Sequence, residues 1–278
     1  MLHENTGWSN KGRICYFCSK LLFVMAYIYS LLSQIPMRRM PDERAEMVNQ
    51  LLYGEAFELL HRETHWLFIR CLFDGYEGWI TSWPSDPSNR FSEEPPPLAT
   101  HLIVNPLAEV HDSTGNSFRL SFGSELRENL HYRNEDVIAN PFTHPLSMRE
   151  KTDLLMSFAT KLLWTPYLWG GRTSLGMDCS GFIQLIHKVA GIALPRDAWQ
   201  QAEHGQTIDF LQEAEVGDLV FFDNEEGKIS HVGILTDNKT VIHASGYVKT
   251  DRIDHHGIFN VSQKRYTHKL RIIKRLSL

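Results

Sequence analysis

The sequence is poor in cysteine, has no run of five like charges, and contains no uncharged apolar stretch long enough to cross a bilayer. Each absence closes off a class of protein. Four cysteines (Cys15, Cys18, Cys71 and Cys179), spread unevenly over 278 residues, do not make a disulfide framework, so a reducing compartment is permitted. Cys15 and Cys18 lack a second Cys or His pair at zinc spacing and read as incidental. Lys and Arg number 28 against 33 Asp and Glu, a net charge of −5 that argues against nucleic acid as a partner. Residues 11–32 join basic residues to an apolar run, the pattern of a signal peptide or anchor. The uncharged part, 21–32, is too short to span a membrane, and no small-x-small cleavage site follows. The competing expectation makes 1–25 an extension and 26–32 the first strand of a domain.

What is present suffices for packed cores: 42% hydrophobic and 11% aromatic residues over a length that holds two or three domains. A weak internal repeat relates the stretch from Pro36 to that from Pro106, aligning Asp42 with Asp112 and Tyr53-Gly54 with Phe122-Gly123. Short aromatic and β-branched runs surround both copies, and Asp74-Gly75 marks a turn between strands, so small antiparallel barrels are expected at 26–84 and 99–146. Trp66, Tyr76 and Trp79 could line a ligand groove, but in a small barrel such aromatics are more often core, which is the expectation here. Residues 85–98, rich in proline and polar residues, read as a linker.

From Ser147 the periodicity changes. Ser147 and Glu150 form a capping-box pattern, and Leu154, Leu155, Phe158, Ala159, Leu162 and Leu163 fall on one helical face before Pro166 forbids continuation. A second amphipathic helix follows Asp178-Cys179-Ser180 and ends at Gly191. Cys179 therefore stands at a helix N-terminus, where unpaired N–H groups and the dipole are expected to lower the thiol pKa and to hold an oxyanion. Its polar neighbours argue against a merely buried cysteine.

A thiol nucleophile needs a base, and two imidazoles follow in a strand pattern. Residues 216–222, 229–235 and 241–245 read as strands joined by turns. If Leu235 pairs with Val241, His243 lies opposite Gly233 and diagonal to His231 on one sheet face, with room left by the glycine. One histidine could act as base and the other orient it. His255-His256, without further ligands, reads as a solvated loop.

Several ordered motifs (Tyr167-x-Trp-Gly-Gly, Asp178-Cys-Ser-Gly, Leu194-Pro-Arg-Asp, Gly217-Asp-Leu, His231-Val-Gly-Ile and His243-Ala) make residues 147–278 resemble the catalytic domain of NlpC/P60 cysteine peptidases. Residues 26–84 resemble bacterial SH3-like domains, and 99–146 form a divergent second unit. The resemblance implies an α+β architecture, a papain-like catalytic domain preceded by two small SH3-like β-barrels. It implies Cys179 as nucleophile, His231 as base and His243 as orienting residue, with Tyr167 near the oxyanion. Trp169, Asp178, Ser180, Arg196 and Asp197 would contact substrate. It implies cleavage of the γ-D-glutamyl bond to meso-diaminopimelate or lysine in muropeptides with a free N-terminal L-Ala, without metal or cofactor. Asp178, or Glu55 of the first barrel, would meet the amine. An amidase or acyltransferase on another acyl donor, or a wall-binding protein, are the alternatives. Recycling of such peptides implies a cytoplasmic rather than exported protein, the apolar run leaving an envelope location open.

Overall fold

A computed structural model describes residues 27–82, 91–92, 99–127, 130–261 and 263–276. Most of the apolar N-terminal run, together with Cys15 and Cys18, lies outside these residues. Among the described residues, no helix is long and apolar enough to cross a membrane.

The first unit comprises β1 (Tyr27–Ser30), β2 (Gln34–Arg38), β3 (Met47–Leu52), β4 (Ala56–Arg62), β5 (Trp66–Cys71), β6 (Glu77–Thr81) and β7 (Phe91–Ser92), one antiparallel sheet in the order β3-β2-β6-β5-β4-β1-β7. Its core is mostly aliphatic, built on Ile35, Met37, Leu51, Phe57, Leu67, Ile69 and Ile80. Trp66, Tyr76 and Trp79 are half-buried rather than central: strand alternation turns Leu67, Ile69 and Ile80 inward in place of the two tryptophans, while Tyr76 packs against the edge of the core. Part of the expected linker is also sheet, since Phe91–Ser92 pairs with β1.

The second unit holds β8 (His101–Ile103), β9 (Leu107–Asp112), β10 (Ser117–Ser121), β11 (Glu125–Leu126), β12 (Leu130–His131) and β13 (Val137–Ala139), arranged as two three-stranded sheets. The internal repeat has a structural counterpart. Hairpin β2–β3 precedes Gly54 and hairpin β9–β10 precedes Gly123, both glycines at positive φ (79° and 83°), where a side chain would be strained. The two units meet directly, the Glu125 N–H donating to Tyr53 O at 2.9 Å.

The remainder begins with α1 (Met148–Lys161), whose capping box between Ser147 and Glu150 forms as the pattern requires. After β14 (Arg172–Thr173) and β15 (Gly176–Met177) come α2 (Cys179–Val189) and α3 (Ala198–Gln201), then β16 (Gln206–Ile208), β17 (Leu219–Asp223), β18 (Ile229–Asp237), β19 (Thr240–Ser245), β20 (Tyr247–Asp254), β21 (Gly257–Asn260) and β22 (Arg265–Arg275). The sheet runs β16-β22-β17-β18-β19-β20-β21, and β21 also pairs with β22, so the strands close on themselves. The first strand starts at Leu219 rather than at 216, because Gly217, at φ 93°, still belongs to the turn.

Period-two alternation divides this sheet. Leu219, Phe221, Val232, Ile234, Ile242 and Ala244 face α2, while Val220, Phe222, Leu235, Val241 and Ile253 fill the inside of the curl. The core against α2 also takes in Leu52 from the first unit and Leu102, Val104 and Phe122 from the second. All three parts of the chain therefore contribute to this cluster, beside separate cores of their own.

Candidate active site

Asp178 caps α2, its Oδ1 accepting from the Gly181 N–H at 2.7 Å, and so fixes Cys179 as the first helical residue. The thiol lies against β18 on both sides of His231: Sγ is 4.0 Å from Ser230 O, and the Val232 N–H points to the sulfur. Burial first, then the Asp178 charge, push the Cys179 thiol up to about 12, against smaller opposing effects of the Val232 and Ser180 N–H groups and Arg196. The lowered pKa expected from the helix N-terminus is thus not found. Desolvation outweighs the dipole, and the capping carboxylate sets a negative charge at the same helix end.

The hairpin register is the one the pattern requires: Leu235 pairs with Val241 and Gly233 with His243. A Cβ at Gly233 would lie 3.1 Å from that of His243 and 2.5 Å from Val241 Cγ2, so only glycine lets the second imidazole lie over the strand. His231 Nε2 is 2.8 Å from His243 Nδ1, and His243 Nε2 is 3.0 Å from Asp251 Oδ2. Lys249 Nζ approaches the same carboxylate oxygen at 3.1 Å.

This chain of contacts fixes the tautomers. An ionised Asp251 only accepts, so His243 Nε2 carries hydrogen and its Nδ1 is an acceptor; His231 Nε2 must then donate, which leaves the lone pair on His231 Nδ1. Burial, with the neighbouring His243, His268 and Lys249 charges, holds His231 well below its ordinary pKa, and burial also lowers His243 although Asp251 opposes it. Both imidazoles rest neutral. A third, His268 on β22, stacks on His231 at 4.3 Å between centroids and is lowered to about 4 by burial, then by His243. His231, His243 and His268 form the one His, Cys or carboxylate cluster compact enough for a metal among the described residues. Their ring nitrogens come within 4.8 Å of one another, but both nitrogens of His243 are already engaged, by His231 and by Asp251.

Asp251 and His268 escaped the sequence reading. Asp251 is reached only through the β19–β20 register, which pairs His243 with Lys249 and puts Tyr247, Lys249 and Asp251 on the histidine face. His268 depends on closure of the sheet by β22.

A cleft of about 300 Å³ opens beside Cys179, with Trp169, Asp178, Ser180, Arg196 and Asp197 on one wall and Arg39, Glu46, Val48 and Tyr76 of the first unit on the other. The expected contact residues thus meet in one place, but not all are free. Arg196 is 1% exposed, and its guanidinium is committed to Asp178, to Ser180 Oγ at 2.9 Å and to Asn49 Oδ1 at 2.9 Å. Asp178 accepts in addition from the Gly170 N–H at 2.9 Å, which fills its acceptor sites and leaves little for a ligand amine. Glu55 lies outside the cleft altogether, buried against Arg172 and Lys188, which pull its carboxyl down to about 2 although burial alone would raise it.

Asp197 is different. It is half-buried on the cleft wall at the N-cap of α3, and burial raises its carboxyl, with the nearby Asp178 charge adding to this and Arg196 and Trp199 opposing it. Trp169 is 58% exposed and donates to Glu46 Oε1 at 2.8 Å, with Arg39 on the other oxygen at 2.6 Å, so it closes the cleft across the domain boundary. Tyr167 is half-buried, its phenol raised by burial and by the Cys179 and Asp178 charges, which keeps its hydroxyl a donor.

The family model described as "NlpC/P60 family" matches residues 164–271, and that of the "Bacterial dipeptidyl-peptidase Sh3 domain" matches 37–82. The chain is similar to the γ-D-glutamyl-L-lysine dipeptidyl-peptidase of Bacillus subtilis (strain 168), 32% identical over 70% of this chain and 71% of that protein. It is also similar to the Bacillus cereus (strain ATCC 10987) protein of the same name, 30% identical over 73% and 70%. A crystal structure of an NlpC/P60 family protein from Bacillus cereus ATCC 10987 superposes with a TM-score of 0.74 at 19% identity, covering 90% of this chain and 99% of that one.

Proposed function

Because the chain belongs to the NlpC/P60 family of cysteine peptidases, we propose that it hydrolyses the γ-D-glutamyl bond to meso-diaminopimelate or lysine in muropeptides that carry a free N-terminal L-Ala. The observation that carries this reading is the cleft beside Cys179, walled on its far side by a different domain. Such a cleft accepts a short acyl peptide and excludes one that continues past its N-terminus.

In this reading Cys179 attacks the amide carbonyl. Its proton passes to His231 Nδ1 as the carbon–sulfur bond forms, since a thiol with its pKa pushed to about 12 is neutral at rest. His243 accepts the hydrogen bond from His231 Nε2 and, through Asp251, steadies the imidazolium. The Cys179 N–H and the Tyr167 hydroxyl serve the oxyanion. His231 then returns the proton to the leaving amine, and water hydrolyses the thioester. The substrate ammonium is met by the Asp197 carboxylate beside Tyr76, a negative charge that favours an amine over its acetylated form, while Glu46 stays paired with Arg39 and Trp169. Peptide recycling of this kind places the protein in the cytoplasm.

The test is mass spectrometry of products from L-Ala-γ-D-Glu-diaminopimelate, free and N-acetylated, with the wild type and Cys179→Ala. Cleavage of the free peptide alone, lost in the variant, is expected. Equal cleavage of both would overturn the amine-gated reading, and cleavage of neither would overturn the bond assignment.

A further inference from the structure

Trp164 lies two residues past Leu162, the C-cap of α1. It follows α1 in the left-handed region at φ 72°, a conformation that burdens a bulky side chain, yet it is 77% exposed. Nothing in the packing of the core asks for an indole there. Instead the ring lies parallel to Tyr247, 5.1 Å between centroids and 6° between planes.

The backbone ties this pair to the catalytic strands. The Trp164 N–H donates to Val248 O at 2.8 Å, the Val248 N–H to Thr165 O at 2.8 Å, and the Tyr167 N–H to Gly246 O at 2.9 Å. Tyr167, three residues on, is the phenol whose pKa responds to Cys179, and Tyr247 shares its strand face with Lys249, which is in register with His243. The aromatic pair is therefore tied through the backbone to the segment that carries Tyr167 and to the strand face that carries Lys249 and Asp251. It stands outside the cleft assigned to the acyl half of the substrate, whose lining contains neither residue. Lys249, 5.8 Å from the Tyr247 ring, already has its charge matched by Asp251.

We propose that Trp164 and Tyr247 form the subsite for the leaving half of the substrate, the open indole face taking the aliphatic side chain and terminal ammonium of the diamino acid residue. The assignment rests on the bond named above. An amide held at Cys179 must project its two halves in opposite directions, and the acyl half occupies the cleft. Of the surfaces beside Tyr167, an uncovered indole is the one that suits an alkylammonium, since tryptophan is the strongest aromatic partner for a cation.

The test compares L-Ala-γ-D-Glu-L-Lys with the same peptide ending in norleucine, which keeps the carbon chain and lacks the ammonium. The wild type is expected to favour lysine in kcat/KM by roughly two- to fivefold, mostly through KM. Trp164→Gly, a residue suited to the local backbone, is expected to melt no lower than the wild type and to lose this preference, the larger rise in KM falling on the lysine peptide. Trp164→Asn, also tolerated at positive φ, serves as the second variant. A preference retained in both variants, or a loss equal on the two peptides, would overturn the subsite. Wild-type failure on both peptides would instead overturn the bond assignment beneath it.

Discussion

His243 has both ring nitrogens engaged, one by His231 and one by Asp251, so its tautomer is dictated from outside the cysteine–histidine pair. Removing that control has a specific signature. Asp251→Ala is expected to lower kcat by roughly 10- to 100-fold with KM little changed, because it removes part of what a positioned base contributes. It also removes the charge that supports His243, so the acid limb of the kcat profile should move to lower pH. Asp251→Asn, whose amide oxygen can still accept from Nε2, should retain more activity. Identical kcat and pH profiles for wild type and Asp251→Ala would sink the positioning role. The cysteine and both histidines were readable from sequence, because helix position and strand period act over a few residues. Asp251 was not, since it reaches His243 only once two hairpins have chosen their registers.

At the scale of elements, α2 carries a second consequence. Every residue of it is buried, His187 included, whose Nδ1–H donates to Ile183 O at 2.7 Å while Nε2 has no hydrogen-bond partner among the described residues. Burial lowers this imidazole from 6.5 to about 4. The unfolded chain then binds the extra proton first, so stability from this group is intact above pH 6.5 and drains away as pH falls toward 4. The shift corresponds to about 3 kcal/mol. Denaturant unfolding at pH 7 and pH 4 should show that loss in the wild type and a correspondingly smaller one in His187→Phe; equal losses would assign the acid sensitivity elsewhere. The helix itself was legible from the apolar spacing of Phe182 through Ala190. Its charged neighbours were not, because periodicity records which side is apolar and says nothing of what the polar residues meet.

Across the whole molecule, the parts are joined by charge as much as by the shared apolar core. Glu55 of the first unit binds Arg172 at 2.9 Å and Lys188 at 2.8 Å, and Lys188 also reaches Glu125 of the second unit at 3.0 Å. Arg172, Lys188 and Glu55 are all but fully buried. Glu55→Ala leaves the buried Arg172 without its anion and Lys188 with Glu125 alone, and is expected to cost about 3–5 kcal/mol, measured by denaturant unfolding. A cost below about 1 kcal/mol would mean that water or another anion replaces the carboxylate. No local pattern could have revealed this junction, since its partners lie more than a hundred positions apart along the chain. Glu55 therefore looked like a ligand contact when only its own barrel was in view.

The Trp169–Glu46 hydrogen bond closes the substrate cleft with one residue from each side of a domain boundary. Bond-breaking chemistry thus lies in one module, while the walls of its cleft are shared between two modules of one polypeptide. A change of barrel sequence at Arg39, Glu46 or Tyr76 would redirect the enzyme to longer or differently ended peptides without touching the thiol or its histidines. Diet and catalytic power could then be inherited, and altered, one at a time.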